Sequence, residues 1–479
     1  MKTTIKISHF LIVLIVLASL ASCNNDEPDP ATKNLSRSII SFSLGSLNPS
    51  VAAIIDESAK TVKADLPSGT DLTKLAPTIT VSDKATVSPA SGVVQDFSKP
   101  IVYTVTSEDG AIQAYTVTLK IVDNGTVYIG NLDGIFYAID ALTGVKKWEF
   151  KTGGAIQSTP TVADGIVYFA SWDKKLYALD AALGTKKWES NPTSVVLNHP
   201  FAAPMVINGM LYYGGDHHLY AIDATTGEKK WEYQHDEVYG WEASPTVVDG
   251  VVYASIRWSA GGKSGLHALN ATTGILKWHQ PDIGISESSP AVANGILFAG
   301  SEFGGFMAFD IANGAIKWKF DSGLITYSSP TVANGVVYIG AGAFGANTEN
   351  NKLYAVDAAT GAKKWEFKTA DGGSDYSSPL VAGGIAYIGA GGTLYAVDAA
   401  SGIKKWEVKP EVGNLILSGP VIATGLIYLG IGKKLYAFDA ATGQKKWEFL
   451  TSRTIDQSSP CVTNKDGKIF HAGISGMVQ

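Results

Sequence analysis

The sequence predicts an all-β protein: an eight-bladed β-propeller of four-stranded blades preceded by a small β-sandwich. Two observations carry that prediction. Tryptophan returns eight times, at Trp148, Trp188, Trp231, Trp278, Trp318, Trp365, Trp406 and Trp447, with gaps of 40, 43, 47, 40, 47, 41 and 41 residues. A period of this length, rich in strand formers, means one supersecondary unit used many times. The second is composition: 51 Gly, 5 Met and 2 Cys in 479 residues, 45% of them hydrophobic, suit many short strands joined by tight turns. The formal net charge of −6 argues against a nucleic-acid partner, which needs a basic face.

Residues 1–22 read as a lipoprotein signal peptide. Lys2 and Lys6 precede an apolar run from Phe10 to Leu20, too short and wrongly flanked for a stable membrane span. The run ends in Leu20-Ala21-Ser22-Cys23, which resembles a bacterial lipobox, so Cys23 is the expected lipidation site. Firm anchoring takes more than one acyl chain, and the modification implied by that resemblance supplies them. Residues 23–35 are an acidic, proline-bearing tether expected to stay extended. Its acidic residues resemble the export signal of Bacteroidetes surface lipoproteins, which implies an outer-membrane, surface-exposed placement. Cys461 is the one other cysteine, so the mature chain is expected to hold no internal disulfide. It occupies a repeat position held elsewhere by Thr, Ala or a larger apolar residue and reads as a small buried side chain.

Residues 36–122 form the first module. Alternating runs such as Ser38-Ile-Ile-Ser-Phe-Ser-Leu44, Thr78-Ile-Thr-Val81 and Ile101-Val-Tyr-Thr-Val105 give some seven short strands and no helix pattern, hence a β-sandwich. A hairpin is expected to turn at Asp109-Gly110. The phrases Asp96-Phe97-Ser98 and Tyr103-Thr-Val-Thr-Ser-Glu-Asp-Gly110 resemble the immunoglobulin-like or cadherin-like modules behind the anchor of many Bacteroidetes lipoproteins. That resemblance implies a spacer.

Residues 125–479 carry the repeats. Each unit runs through four short strands, A to D: Ser-Ser-Pro-Thr-Val, Gly-Val-Val-Tyr-Ile-Gly, Leu-Tyr-Ala-Val-Asp-Ala and Lys-Lys-Trp-Glu-Phe. Proline at 160, 204, 245, 290, 330, 379, 420 and 460 opens strand A, where a missing N–H is tolerated. Thr-Gly or its equivalent supplies the positive φ of the C–D turn. The Trp is expected to start strand D and to cement adjacent blades. Paired lysines such as Lys146-Lys147 fall on the outermost strand, where they discourage edge pairing. The repeated aspartates Asp140, Asp180, Asp223, Asp310, Asp357, Asp398 and Asp439 read as turn residues, because a residue copied into blade after blade is architectural. The N-terminal unit supplies B, C and D and the C-terminal unit A, B and C. Both ends must therefore share one closing blade, with one B–C pair redundant or irregular.

A ligand site is expected where the blades differ. The D–A and B–C loops share one face around the channel mouth. Directly before Ser-Ser-Pro stand Gln157, Phe201, Glu242, Glu287, Tyr327, Tyr376, Leu417 and Gln457, a ring of aromatics, carboxylates and amides suited to a polar ligand with apolar faces. The B–C loops add Trp172, Asp216, His217, His218, Arg257, Trp258, Glu302 and Phe303, and Trp241 lies in a D–A loop. Trp172, Trp241 and Trp258 break the period, so they and Arg257 make the first-choice binding surface. His217, His218, Glu242, Glu287, Tyr327 and Tyr376 complete the candidate set. Asp216-His217-His218 could donate metal ligands, but a metal-free loop is the expectation, and no catalytic residue is assigned.

The phrase Ala138-Ile-Asp-Ala-Leu-Thr-Gly-Val-Lys-Lys-Trp148 resembles the tryptophan-docking motif of the pyrroloquinoline quinone (PQQ)-like propellers, and eight copies make the likeness specific for fold. That family holds quinoprotein dehydrogenases, which bind the quinone with calcium, and non-enzymatic partner-binding members of the BamB-like outer-membrane lipoprotein type. The chain lacks the vicinal Cys-Cys pair of many dehydrogenases and any evident calcium signature. The expectation is therefore a lipid-anchored, non-enzymatic scaffold binding an envelope protein or glycan, with no cofactor. The alternative is a PQQ-dependent dehydrogenase with quinone and calcium at the channel mouth. A third reading makes Glu242 and Glu287 an acid/base pair for glycan processing.

Overall fold

The computed structural model describes residues 33–47, 50–67, 70–122, 124–190, 200–215, 217–234, 243–256, 265–281, 283–284, 288–301, 305–325, 327–342, 351–369, 377–411, 414–464 and 468–471. Among them the chain is β-sheet apart from one 3-10 turn at Leu72–Lys74. No helix of the described residues is long and apolar enough to cross a membrane.

Among the described residues the first module has eight strands: β1 (Ile39–Leu44), β2 (Val51–Ala52), β3 (Ile54–Asp56), β4 (Thr61–Pro67), β5 (Thr78–Val81), β6 (Thr86–Ser88), β7 (Ile101–Thr106) and β8 (Ile112–Val122). They form two sheets, β2-β1-β5 and β3-β4-β8-β7-β6, around one core. There Phe42 meets Tyr103 edge-on at 5.8 Å and Phe97 stacks on Tyr103 at 6.4 Å. The expected hairpin joins β7 to β8. Gly110 takes φ 86°, and Asp109 accepts from Ser107 and from the Ala111 amide. β4 and β8 pair in parallel, a pairing that local alternation does not encode.

The propeller begins with β9 (Thr126–Gly130), β10 (Ile135–Asp140) and β11 (Lys146–Lys151). Seven four-stranded sheets follow in chain order, from β12 (Thr161–Ala163) to β39 (Lys445–Leu450). The eighth sheet, blade 1 here, is ordered β11-β10-β9-β40-β41, with β40 (Cys461–Thr463) and β41 (Ile469–His471) from the C-terminus. Strand A of the closing blade therefore comes from the C-terminal end, and B, C and D from the N-terminal end. The expected redundancy resolves in a specific way. β9 holds the outer edge of β40 (Cys461 opposite Tyr128), so the B-like segment after β40 pairs on its inner edge (Cys461 opposite His471). β41 is thus a fifth strand inside the ring of A strands, beside β12 and beside β36 (Val421–Ala423). The third C-terminal strand expected from the sequence lies outside the described residues. Cys461 is fully buried, and burial pushes its thiol pKa up.

Each blade docks on the next through its Trp. The indole Nε1 donates to a carbonyl of the following blade's C–D turn: Trp148 to Ala181 (3.2 Å), Trp188 to Ala224 (2.9 Å), and so on to Trp447, which reaches Ala141 (3.1 Å) and closes the ring. A strand-B tyrosine donates to the same oxygen, as Tyr168 does to Ala224 and Tyr428 to Ala141, both at 3.0 Å. Blade 5 has Phe298 there, which only packs on Trp318. The Trp is the third residue of strand D and not its first, because the strand opens at Lys146, which already pairs with Ile139, and runs through the bulged Lys147. The turn glycine is needed twice over. Gly144 takes φ 74°, and a Cβ on it would lie 2.8 Å from the Trp447 ring.

In every blade the C–D register shifts at the lysine directly before the Trp, which in six of the eight is the second of a lysine pair. In a regular strand residues i and i+3 point to opposite faces; the bulge brings them to one. The first lysine then reaches the glutamate three residues on (Lys186–Glu189 2.8 Å, Lys404–Glu407 2.9 Å), and the bulged lysine reaches the turn aspartate (Lys187–Asp180 3.2 Å, Lys405–Asp398 3.1 Å). Lysines matched in this way make a poor polyanion stripe.

Candidate functional site

The D–A loops reach the channel mouth on a hydroxyl belt. The second Ser of Ser-Ser-Pro accepts from the backbone of the preceding blade: Ala203 N to Ser244 Oγ (2.8 Å), Ser244 N to Ser289 Oγ (3.0 Å), Ser289 N to Ser329 Oγ (3.0 Å) and Ser329 N to Ser378 Oγ (2.9 Å). Gly419 N to Ser459 Oγ (2.8 Å) and Ser459 N to Thr159 Oγ1 (3.1 Å) continue it across the seam between the chain ends. The two links that would end on Ala203 and Gly419 cannot form, because neither carries a hydroxyl. The belt holds the residues before it in a fixed ring.

On that ring the described residues bring together a continuous arc over blades 1 to 3. Trp172 is 37% exposed at the tip of a B–C loop. Its ring meets Phe201 edge to face at 5.5 Å, and its amide donates to Ala155 O at 2.9 Å. Two residues beyond Ala155, Gln157 Nε2 donates to Asp456 Oδ2 at 2.8 Å. Burial pushes the Asp456 carboxyl above the usual carboxylate range, and the Gln157 hydrogen bond opposes that only in part. Gln457, beside it, sits at φ 56°. Phe201, Gln157 and Gln457 are consecutive members of the expected ring.

The Trp172 loop is fastened from below. Asp173 Oδ2 accepts from Gly153 N (2.8 Å) and from the Tyr177 hydroxyl (2.6 Å), and its Oδ1 from Lys175 N (3.2 Å). Burial and then the Asp173 bond push the Tyr177 hydroxyl up. Gly154 lies so close that a Cβ there would be 2.4 Å from Asp173 N. An exposed aromatic on a loop with this many fixed partners loses little freedom on binding.

The other candidates fall as follows. His217 sits half-buried in the turn before strand C of blade 3. His218 is the first residue of that strand, its ring stacked on Tyr220 at 5.4 Å, so the pair is split between turn and strand. Among the described residues no group of three or more His, Cys, Asp or Glu side chains is placed to hold a metal ion. Tyr327 stands half-buried before blade 6, on the same ring but away from the arc. Cys23, Trp241, Glu242, Arg257, Trp258, Glu287 and Tyr376 lie outside the described residues. Asp456 and Asp173 were not singled out from the sequence, although both fix the arc.

A cleft of about 860 Å³ opens on the opposite face, between blades 1, 2 and 3, with Val162, Val206 and Ile469 in its wall and Asp164 and Asn208 at its rim. Asp164-Gly165 and Asn208-Gly209 are A–B hairpin turns whose positive φ recurs at Asp249, Asn294 and Asn334. Its rim is repeat architecture, whereas the mouth arc departs from the repeat.

Comparison with known proteins agrees with this fold. The family model described as outer membrane protein assembly factor BamB matches residues 98–256, 195–288, 262–448 and 349–476. A model described as SGBP, N-terminal, matches residues 39–119. BamB from Moraxella catarrhalis is similar in structure at 17% identity and TM-score 0.50, over 66% of this chain and 91% of that one. Apo AztD from Citrobacter koseri aligns at 14% identity and TM-score 0.53, over 71% and 98%. A europium-containing methanol dehydrogenase aligns at 15% identity and TM-score 0.54, over 68% and 83%. At these identities the structures share the fold alone. No curated protein matches the chain in sequence.

Proposed function

We propose, from the premise that the chain belongs to the family of the outer membrane protein assembly factor BamB, that it is a non-enzymatic binding scaffold of the cell envelope. In this reading Cys23 carries the lipid anchor in the outer membrane and the β-sandwich spaces the propeller from it. The D–A/B–C face holds a protein or glycan partner. The observation that carries the reading is the arc itself: Trp172, a tryptophan outside the repeat, is exposed on a fastened loop beside Phe201 and the Gln157–Asp456 pair. Exposed aromatics on a preorganised scaffold are what binding hot spots use. Co-isolation from detergent-extracted membranes tests it. A partner recovered with the wild type and lost with Trp172→Ala supports the scaffold; equal recovery with both overturns the assignment of the face.

The family also holds quinone enzymes, whose chemistry needs a seat for the quinone and a cage for calcium. Calcium takes six to eight oxygen ligands, several of them ionised. The described arc offers two carboxylates: Asp456, whose charged form burial disfavours, and Asp173, whose oxygens already accept from Gly153 N, the Tyr177 hydroxyl and Lys175 N. β41 stands inside the ring of A strands, narrowing the lumen. The described residues do not fit the pair. Dye reduction after incubation with quinone and calcium is expected to be absent across alcohols and sugars, and turnover would refute the scaffold reading.

A further inference from the structure

We infer that the mouth arc is a carbohydrate subsite, which takes an uncharged sugar of a glycan between Trp172 and the Gln157–Asp456 pair. The inference rests on the scaffold reading and narrows its partner. A pyranose offers two kinds of surface: an apolar face of C–H groups and a rim of hydroxyls, each both donor and acceptor. The arc offers the complement of both.

The apolar half is Trp172. Phe201 meets it edge to face at 5.5 Å, so one aromatic braces the other, and 37% of Trp172 is still open to solvent. The polar half is planar. Gln157 spends one N–H on Asp456 Oδ2, which leaves a second N–H, the amide oxygen and Asp456 Oδ1 for hydroxyls. One donor and two acceptors in a linked amide–carboxylate plane suit adjacent hydroxyls, which can donate to the carboxylate and accept from the amide. The halves are tied through the backbone, since Trp172 N donates to Ala155 O two residues before Gln157. Residues from blades 1, 2 and 3 therefore act as one unit.

Charge selects among ligands. Asp456 and Asp173 are the carboxylates of the described arc, and an anionic ligand would bring like charge against them. A protein partner of standard size buries roughly 800 Å² per side. In the described D–A and B–C loops the exposed large apolar side chains are Trp172 and Leu415. Among the described residues that is a platform for one ring and its neighbours.

The test is isothermal titration of the purified full-length protein with soluble uncharged polysaccharides: an α-glucan, a β-glucan, a xylan, a mannan and a galactan. At least one is expected to bind. Trp172→Ala and Gln157→Ala should each weaken it about tenfold or more. Asn208→Ala, on the opposite face, should leave it unchanged. Matching circular dichroism and melting temperatures show that the variants fold, and two separate substitutions keep the outcome decisive if one does not. Failure of the wild type to bind any of the five overturns the inference, as does binding that both arc variants retain. If a protein partner still co-isolates through Trp172 in that case, the sugar assignment falls and the scaffold reading stands. If neither sugar nor protein is held, both fall.

Discussion

Two glycine and carboxylate positions show how much single residues decide. Gly184 takes φ 71° and would place a Cβ 2.6 Å from the Trp148 ring. Gly184→Ala therefore combines backbone strain with overpacking and should cost about 1–3 kcal/mol in urea unfolding. Asp456 behaves oppositely to the turn aspartates. Its folded pKa is raised by burial, so its contribution to stability is present below the unfolded value and is lost as pH rises through the folded one. Asp456→Asn should accordingly stabilise the protein near neutral pH, with the gain fading below about pH 4. A gain that persists undiminished in acid would refute the burial account. Asp456 was hidden in the sequence because the blades were compared at the position directly before Ser-Ser-Pro, and it lies one residue earlier. Its partner Gln157 is 299 residues away, a pairing that exists only once the ring has closed.

At the level of elements, strand type and order were legible, and edge choice was not. Alternation and turn residues place the four strands of each blade, and the shared closing blade follows from counting. Counting cannot say on which edge of β40 the last segment pairs; competition with β9 decides that. A direct check is His471→Cys. Opposed residues of an antiparallel pair lie about 4.5–5.5 Å apart at Cα, within disulfide range, so the new thiol should oxidise with the native Cys461. Two thiols that stay free after oxidation would contradict the inner-edge pairing. The tryptophan motif was equally visible, but its acceptor is a backbone carbonyl and leaves no trace in composition. Trp447 is the copy that joins the chain ends, with Nε1 3.1 Å from Ala141 O. Trp447→Ala should cost about 3–5 kcal/mol in denaturant unfolding.

Across the whole molecule the same devices recur around the ring, and their titration should be collective. The turn aspartates Asp180, Asp223, Asp357, Asp398 and Asp439 are held below the ordinary carboxylate value by hydrogen bonds from their own turns and by the bulged lysines. For Asp398 the Ser401 hydroxyl leads and Lys405 follows, and the carboxyl falls to about 2. Depressed folded values give stability that is present above the unfolded value and lost as pH falls toward the folded one. The midpoint of urea unfolding should therefore drop between about pH 4 and pH 2. Fold was readable because it is written eight times; the site is written once, in loops where the copies disagree. The central claim is that the D–A/B–C face, and not the cleft face, holds the partner. It is tested most directly by placing a photo-activatable residue at Lys174, beside Trp172, or at Asn208 on the far rim, and irradiating whole cells. The account predicts an adduct from position 174 and none from 208; an adduct from 208 alone would contradict it.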